Sequence, residues 1–281
     1  MERTNQVELQ KRACWVRRGI LEATHGAGCG HPGGSLSAAD VLTYLYFREM
    51  RIDPGNPKWE NRDRFVLSKG HAAPGLYSAL ALRGFFPRED LLTLRRSGSY
   101  LQGHPNMNTV PGVDMSTGSL GQGISCACGM ALGAKVTKRD YRVYTLLGDG
   151  ELQEGQVWEA CMFASHYHLD NLCVLIDNNG LQIDGDIRQV MNPYPIDQKL
   201  EAFGFDVQVI DGHDYSQLEA AFDHARMEKE NPSAIILRTV KGKGISFMEN
   251  NGAWHGKAPN DREFERAMAE LDRQLMELEG A

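Results

Sequence analysis

Two short motifs, each closing an apolar run, constrain this chain more than any other feature. The first is Leu146-Leu-Gly-Asp-Gly-Glu151 and the second is Ile176-Asp-Asn-Asn-Gly180. The runs before them, Val143 to Leu147 and Leu172 to Asp177, read as buried strands. Asp149 and Asn179 are thirty positions apart, the length of one strand–helix–strand unit. Such units cross over right-handed and build a parallel sheet. Both residues are therefore expected at the carboxyl ends of neighbouring strands, where open α/β sheets bind their ligands.

The alternation continues along the chain. Arg64 to Leu67, Phe205 to Ile210 and Ala234 to Thr239 are further candidate strands. Gly121 to Lys138, a segment ending near Tyr167, and Ser216 to Lys229 are candidate helices. The pattern predicts an α/β fold with a mostly parallel central sheet flanked by helices. In the first thirty residues Val7, Ala13, Cys14, Val16, Ile20 and Leu21 recur near helical spacing. Ser37-Ala-Ala-Asp40 reads as a capping box opening a helix through Phe47, and Asp53 to Asn61 as a loop. Phe264, Met268, Leu271, Leu275 and Leu278 stripe a final helix, Asp261 to Glu279, whose apolar face should pack on its own domain or a partner. The expectation is one domain over 1–281, with N-terminal helices and a loop in 1–60, an α/β core in 61–240 and a histidine loop plus C-terminal helix in 241–281.

A carboxylate, an amide oxygen and a backbone carbonyl are hard ligands suited to magnesium or calcium. One carboxylate is too little charge for a protein-only cage, and magnesium completes its shell with ligand phosphates and water. The motif pair therefore points to a metal-bridged diphosphate. Gly148 and Gly150 flank Asp149, so the backbone can come close to a phosphate and offer N–H donors. The competing reading is a pair of Asx-type turns at strand ends. Of nine histidines, His31, His71, His104 and His255 lie in Gly- or Pro-flanked loops rather than on apolar faces. A sugar hydroxyl or a developing alkoxide needs donors that exchange protons near neutral pH, and histidine does this. His213, in Asp211-Gly-His-Asp214, reads as a turn or helix cap, and His166, His168 and His224 as ordinary helix or turn positions.

Bulk properties narrow the partners. The formal net charge of −7 argues against nucleic acid, which needs a basic face, while a local anion site is still allowed. None of the six cysteines forms a CxxC pair; Cys126 and Cys128 would point roughly 200° apart on a helix, so they cannot share a metal there. They read as free, mostly buried thiols in a reducing cytosol. No basic-then-apolar leader and no apolar run near ~20 residues is present, so the expectation is a soluble cytoplasmic protein with no membrane partner.

GDGxxxE with DNN about thirty residues on resembles the thiamine-diphosphate-binding signature. Gly30-His-Pro-Gly33, Leu67-Ser-Lys-Gly-His-Ala72, Gly103-His-Pro105, Thr117-Gly-Ser-Leu-Gly-Gln-Gly123, Gly148-Asp-Gly-Glu-Leu-Gln-Glu-Gly155 and Trp254-His-Gly256 resemble transketolase, in family order. They cover the whole chain but only the first half of a full transketolase. The resemblance implies a thiamine-diphosphate fold of the diphosphate-binding type. It implies ketol transfer between sugar phosphates, in carbohydrate metabolism of the pentose phosphate kind. Asp149, Asn179 and the carbonyl of Leu181 would hold the metal, Mg2+ or else Ca2+ or Mn2+. Gly150 N–H, His71, Lys241 and His255 would face the diphosphate, and Gly118, Ser119 and Leu120 would line the cofactor rings. His31, His71, His104 and His255 would surround the reactive carbon and the sugar. Glu154 would sit near a dimer interface in a carboxylate network, and Lys69 would support the histidine loop.

In the family, the glutamate that activates the aminopyrimidine and the arginines that bind sugar phosphate lie on a second domain. The resemblance therefore implies a separate C-terminal subunit, in an α2β2 heterotetramer. Two other readings compete: a subunit of another thiamine diphosphate enzyme, deoxyxylulose-phosphate-synthase-like or a 2-oxo-acid dehydrogenase α component, and a non-catalytic cofactor-binding module. The four histidine loops favour ketol transfer over both, since they suit a polyhydroxylated substrate.

Overall fold

A computed structural model describes residues 6–183 and 185–280. Five strands form one sheet: β1 (Arg64–Leu67), β2 (Val143–Gly148), β3 (Leu172–Asn178), β6 (Asp206–Asp211) and β7 (Ser233–Arg238). Their order is β1-β2-β3-β7-β6, and every pairing is parallel. The sequence reading of a parallel α/β sheet holds, with strand ends within one or two residues of those expected. A two-stranded antiparallel ribbon, β4 (Leu181–Gln182) with β5 (Gly185–Asp186), is additional, and the single turn α7 (Ile187–Val190) follows it. The ribbon strands are too short to leave a periodic signal.

Helices cover both faces. On one side α5 (Gln122–Val136), α6 (Gly155–His166) and α8 (Ile196–Ala202) pack on Val66, Val143, Leu147, Val174 and Ile236. On the other, α1 (Gln6–Ala27), α3 (Ala39–Tyr44), α4 (Ala73–Arg83) and α9 (Tyr215–Met227) pack on Phe65, Leu67, Tyr144, Leu175 and Leu237. These two strand sets alternate, so the period-two rule sorts the core into two layers. The near-continuous apolar character of β2 and β3 follows from burial on both faces. The chain leaves β3 toward the α8 face but leaves β7 toward the α1 face. That divergence opens a crevice at the carboxyl edge of the sheet.

The last helix, α10 (Asp261–Glu279), lies against α1. Asn260 and Glu263 form its capping box, while Leu271 and Leu275 are buried. The expected packing role of the stripe is met within the domain itself. The capping box expected at Ser37 and Asp40 does not form. Residues 32–49 are split into α2 (Pro32–Ser37), α3 and a wider turn over Leu45–Glu49, with no side-chain cap at Ala38. Ser37 Oγ donates instead to Asp177, and Asp40 binds Arg17. Tertiary partners outcompeted the local cap. All six cysteines are free, four of them buried. Among the described residues no helix is long and apolar enough to cross a membrane.

Candidate functional site

The strand register brings the two motifs together. Gly148 pairs with Asp177 across β2 and β3, so Asp149 and Asn179 leave the sheet from adjacent strands. They enter one cleft of about 240 Å³, lined also by His71, Gly118, Leu120, Gly150, Leu181, Lys241 and His255. Gly180, at φ +74, makes the left-handed turn that aims its N–H at Asp149 Oδ2, 2.7 Å away. Gly150 N–H donates to Asp149 Oδ1 at 2.9 Å. Leu181 N–H donates to Asn179 Oδ1 at 3.1 Å, and Lys241 Nζ to the Leu181 carbonyl at 3.3 Å.

Asp149 is 2% exposed, and among the described residues no ion pair reaches it. Burial, then Asp177 beside it, pushes its carboxyl up to about 6 despite the two N–H donors. An ionised carboxylate here is short of positive charge. Among the described residues no cluster of three His, Cys, Asp or Glu could hold a metal by itself. One carboxylate, one amide oxygen and one carbonyl, each with lone pairs to spare, fit a divalent cation that takes its remaining ligands from phosphate and water.

Three imidazoles cluster here: His71 and His255 line the cleft, and His31 packs against both. The rings of His31, His71 and His255 are mutually 5.2–5.4 Å apart by centroid. His31 Nδ1 is buried without a hydrogen-bond partner. Gly118, at φ +150, lies against the His104 ring, where a Cβ would sit 3.1 Å from it. His104 thus packs on Gly118, which lines the cleft. Burial lowers all four. It takes His31 to about 4, with help from Arg95, and His255 to about 3, with help from Lys241. His71 lies well below the usual histidine range through burial and Lys69, and His104 is lowered by burial and Arg95. All four are neutral at pH 7, each with one N–H donor and one acceptor nitrogen. Lys241 is lowered to about 8 by burial and then by Lys69, and is still mostly protonated at pH 7.

Lys69 supports the histidine loop in a specific way. Its ammonium binds Asp177 and donates to the Gly34 carbonyl at 3.0 Å. Asp177 is fully buried and also accepts from Ser37, Thr239 and Asn179. Burial raises its carboxyl, but Lys69 reverses that and holds it below the usual range. The pair ties β1, β3, β7 and α2 together beneath the cleft. Glu151 does the same between β1 and α5. It accepts from Ser68 at 2.5 Å, Gly121 N–H at 2.8 Å and Gly148 N–H at 3.0 Å.

Not every expected residue lines the cleft. Ser119 and Glu154 are exposed outside it, His31 and His104 stand next to its lining, and Gly150 lines it with its N–H turned onto Asp149. Sequence reasoning gave Asp177, Glu151 and Arg95 no part. The only signals were the D of DNN and the first E of GDGELQE. His213 lies in the expected turn, its N–H donating to Asp211 Oδ1 at 2.8 Å; Asp214, not His213, caps α9, and the His213 ring links Asp40 to Val240. A larger depression of about 530 Å³ at the amino ends of the strands is lined largely by ion pairs such as Arg51 with Asp63 and Lys135 with Asp170.

Fold and site together define an α/β ligand-binding domain with a polar crevice at the carboxyl edge of a parallel sheet. A family model described as "Transketolase, thiamine diphosphate binding domain" matches residues 10–274, and the chain belongs to that family. It is 47% identical over 269 residues to the 6-deoxy-6-sulfo-D-fructose transketolase subunit SqwG of Clostridium sp. (strain MSTE9), covering 96% of this chain and 98% of that one. It is 42% identical over 263 residues to one subunit of the apulose-4-phosphate transketolase of Phocaeicola vulgatus, covering 94% and 93%. Human transketolase is 45% identical over 272 residues, 95% of this chain but 42% of the human one. The transketolase structure from Campylobacter jejuni superposes with a TM-score of 0.88 at 34% identity, over 98% of this chain and 47% of that one. The chain thus spans less than half the length of these single-chain transketolases.

Proposed function

We propose that this chain is the diphosphate-binding subunit of a two-chain transketolase. It works with a separate C-terminal subunit, as an α2β2 heterotetramer, to move a two-carbon ketol unit from a ketose to an aldose. Asp149 carries the reading: a buried carboxylate that no ion pair reaches among the described residues, beside Asn179 and the Leu181 carbonyl. Those three groups would hold Mg2+, with Ca2+ or Mn2+ as substitutes. Lys241, His71, His255 and Gly150 N–H would bind the diphosphate; Gly118, Ser119 and Leu120 would flank the rings. When bound, thiamine diphosphate supplies the electron sink for carbon–carbon bond cleavage.

The chain's own residues orient and exclude water. Neutral His31, His71, His104 and His255 would each give and take a hydrogen bond, so they can hold adjacent sugar hydroxyls in one orientation. A dianion in the cleft would raise their basicity, which suits them to accept a proton from a hydroxyl. Glu154, exposed at the entry to α6, would face the partner subunit. The two relatives of similar length act, by name, on a sulfonated fructose and on apulose 4-phosphate. A sugar with an anionic end group, phosphate or sulfonate, is the substrate class we infer. Six free thiols suit the reducing cytoplasm.

The test is metal-dependent cofactor binding by the assembled subunits. Asp149→Ala should abolish the Mg2+-dependent part of thiamine diphosphate affinity, at least a hundredfold by the order of magnitude of a lost metal ligand. Unchanged Mg2+ dependence in that variant would remove the basis of the proposal.

A further inference from the structure

We propose that His213 is a positioning residue for Lys241, acting through the backbone of Val240. It rests on the function proposed above. His213 lies outside the cleft, between β6 and α9. Its Nε2 accepts the Val240 N–H at 2.9 Å, and its Nδ1 lies 2.7 Å from Asp40 Oδ2. A ring nitrogen that accepts from an amide carries no proton, so Nδ1 carries it and donates to Asp40. The imidazole is therefore a two-ended strut.

Its far end is fixed. Arg17 grips both Asp40 oxygens, at 3.2 and 2.5 Å, and the Tyr215 hydroxyl donates to Oδ1 at 3.1 Å. Arg17 and Asp40 are each 5% exposed. Such a pair is held rigidly by its geometry, since breaking it would strand a buried charge. Its near end bears on the residue before Lys241. Gly242 N–H donates to the Gly33 carbonyl at 3.0 Å, and Asn250 N–H to the Lys241 carbonyl at 2.9 Å. Beyond β7 the Val240 N–H relies on His213 for its acceptor. Among the described residues no ion pair holds Lys241; its Nζ meets the Leu181 carbonyl at 3.3 Å and His255, and the placement of its backbone sets whether it reaches them. Its Nζ then lies 3.0 Å from His255 Nδ1. A line of contacts thus runs from α1 through Asp40, His213 and Val240 to the Lys241 ammonium, which faces the proposed diphosphate.

The experiment is a double-mutant cycle on the assembled subunits, titrated with thiamine diphosphate at fixed Mg2+. His213→Ala should weaken binding on the order of tenfold, as loss of a supporting contact does. His213→Gln, whose one amide can donate to Asp40 and accept from Val240, should recover to within about threefold. In a Lys241→Ala background the same His213→Ala change should matter by less than about twofold. A penalty of equal size with and without Lys241 would overturn the proposal, as would wild-type affinity in His213→Ala. If the alanine variant does not fold, His213→Asn, too short to span both partners, takes its place in the cycle. Wild-type subunits that bind no thiamine diphosphate would sink the functional reading, and this inference with it.

Discussion

Asp149 faces two opposed demands. The folded chain favours its protonated form, because burial and Asp177 move it from an ordinary 3.8 to about 6. The resulting cost to stability is absent below pH 3.8, grows as pH rises through that window and is complete above about 6, reaching on the order of 3 kcal/mol. Asp149→Asn should therefore stabilise the metal-free chain by on the order of 2 kcal/mol at pH 7. Thermal melts in chelator should show the variant's advantage growing from pH 4 to pH 6; an advantage independent of pH would mean burial is not the cause. The motif residues were legible because each sits in a local signature of turn glycines and polar ends. Lys69, Asp177 and His213 were less so. Lys69 meets a carboxylate 108 positions away and His213 one 173 positions away, and no local pattern encodes such distances.

Elements with a strong period were read nearly to the residue. The apolar runs of β2 and β3 and the stripe of α10 are such cases, since burial on two faces or on one dictates the pattern. Asn260-Asp-Arg-Glu263 formed a capping box where Ser37-Ala-Ala-Asp40 did not. The difference is tertiary: Ser37 and Asp40 are buried beside Asp177 and Arg17, whereas Asn260 and Glu263 are at the surface, where Glu263 pairs with Lys257 and still reaches the Asn260 N–H. The α1–α10 contact puts no residue into the cleft lining, and Leu271 lies outside the Arg17–Asp40–His213 line, so it can be weakened selectively. Leu271→Ala removes a fully buried side chain and should cost about 3 kcal/mol. Denaturant melts should show that loss, with thiamine diphosphate affinity within about twofold of wild type.

At the scale of the whole molecule, the chain matches subunits of its own length and less than half of single-chain transketolases. We expect the purified chain to show no ketol transfer from a ketose phosphate to an aldose, and activity to appear on mixing with its C-terminal subunit. Light scattering of the mixture should give the mass of two copies of each. Robust turnover by this chain alone would contradict the two-subunit proposal.

The amino-acid sequence by itself determined the layered α/β architecture, the five strands of the parallel sheet, and the loops that carry Asp149, Asn179 and the four histidines. These depend on periodicity and turn chemistry, which act between near neighbours in the chain. Only the tertiary structure decided which charges face one another beneath the cleft, that His213 braces the Lys241 segment, and that three imidazoles from distant loops pack together. Those contacts join residues far apart along the chain, and burial decides them by making an unpaired polar group costly wherever water is excluded.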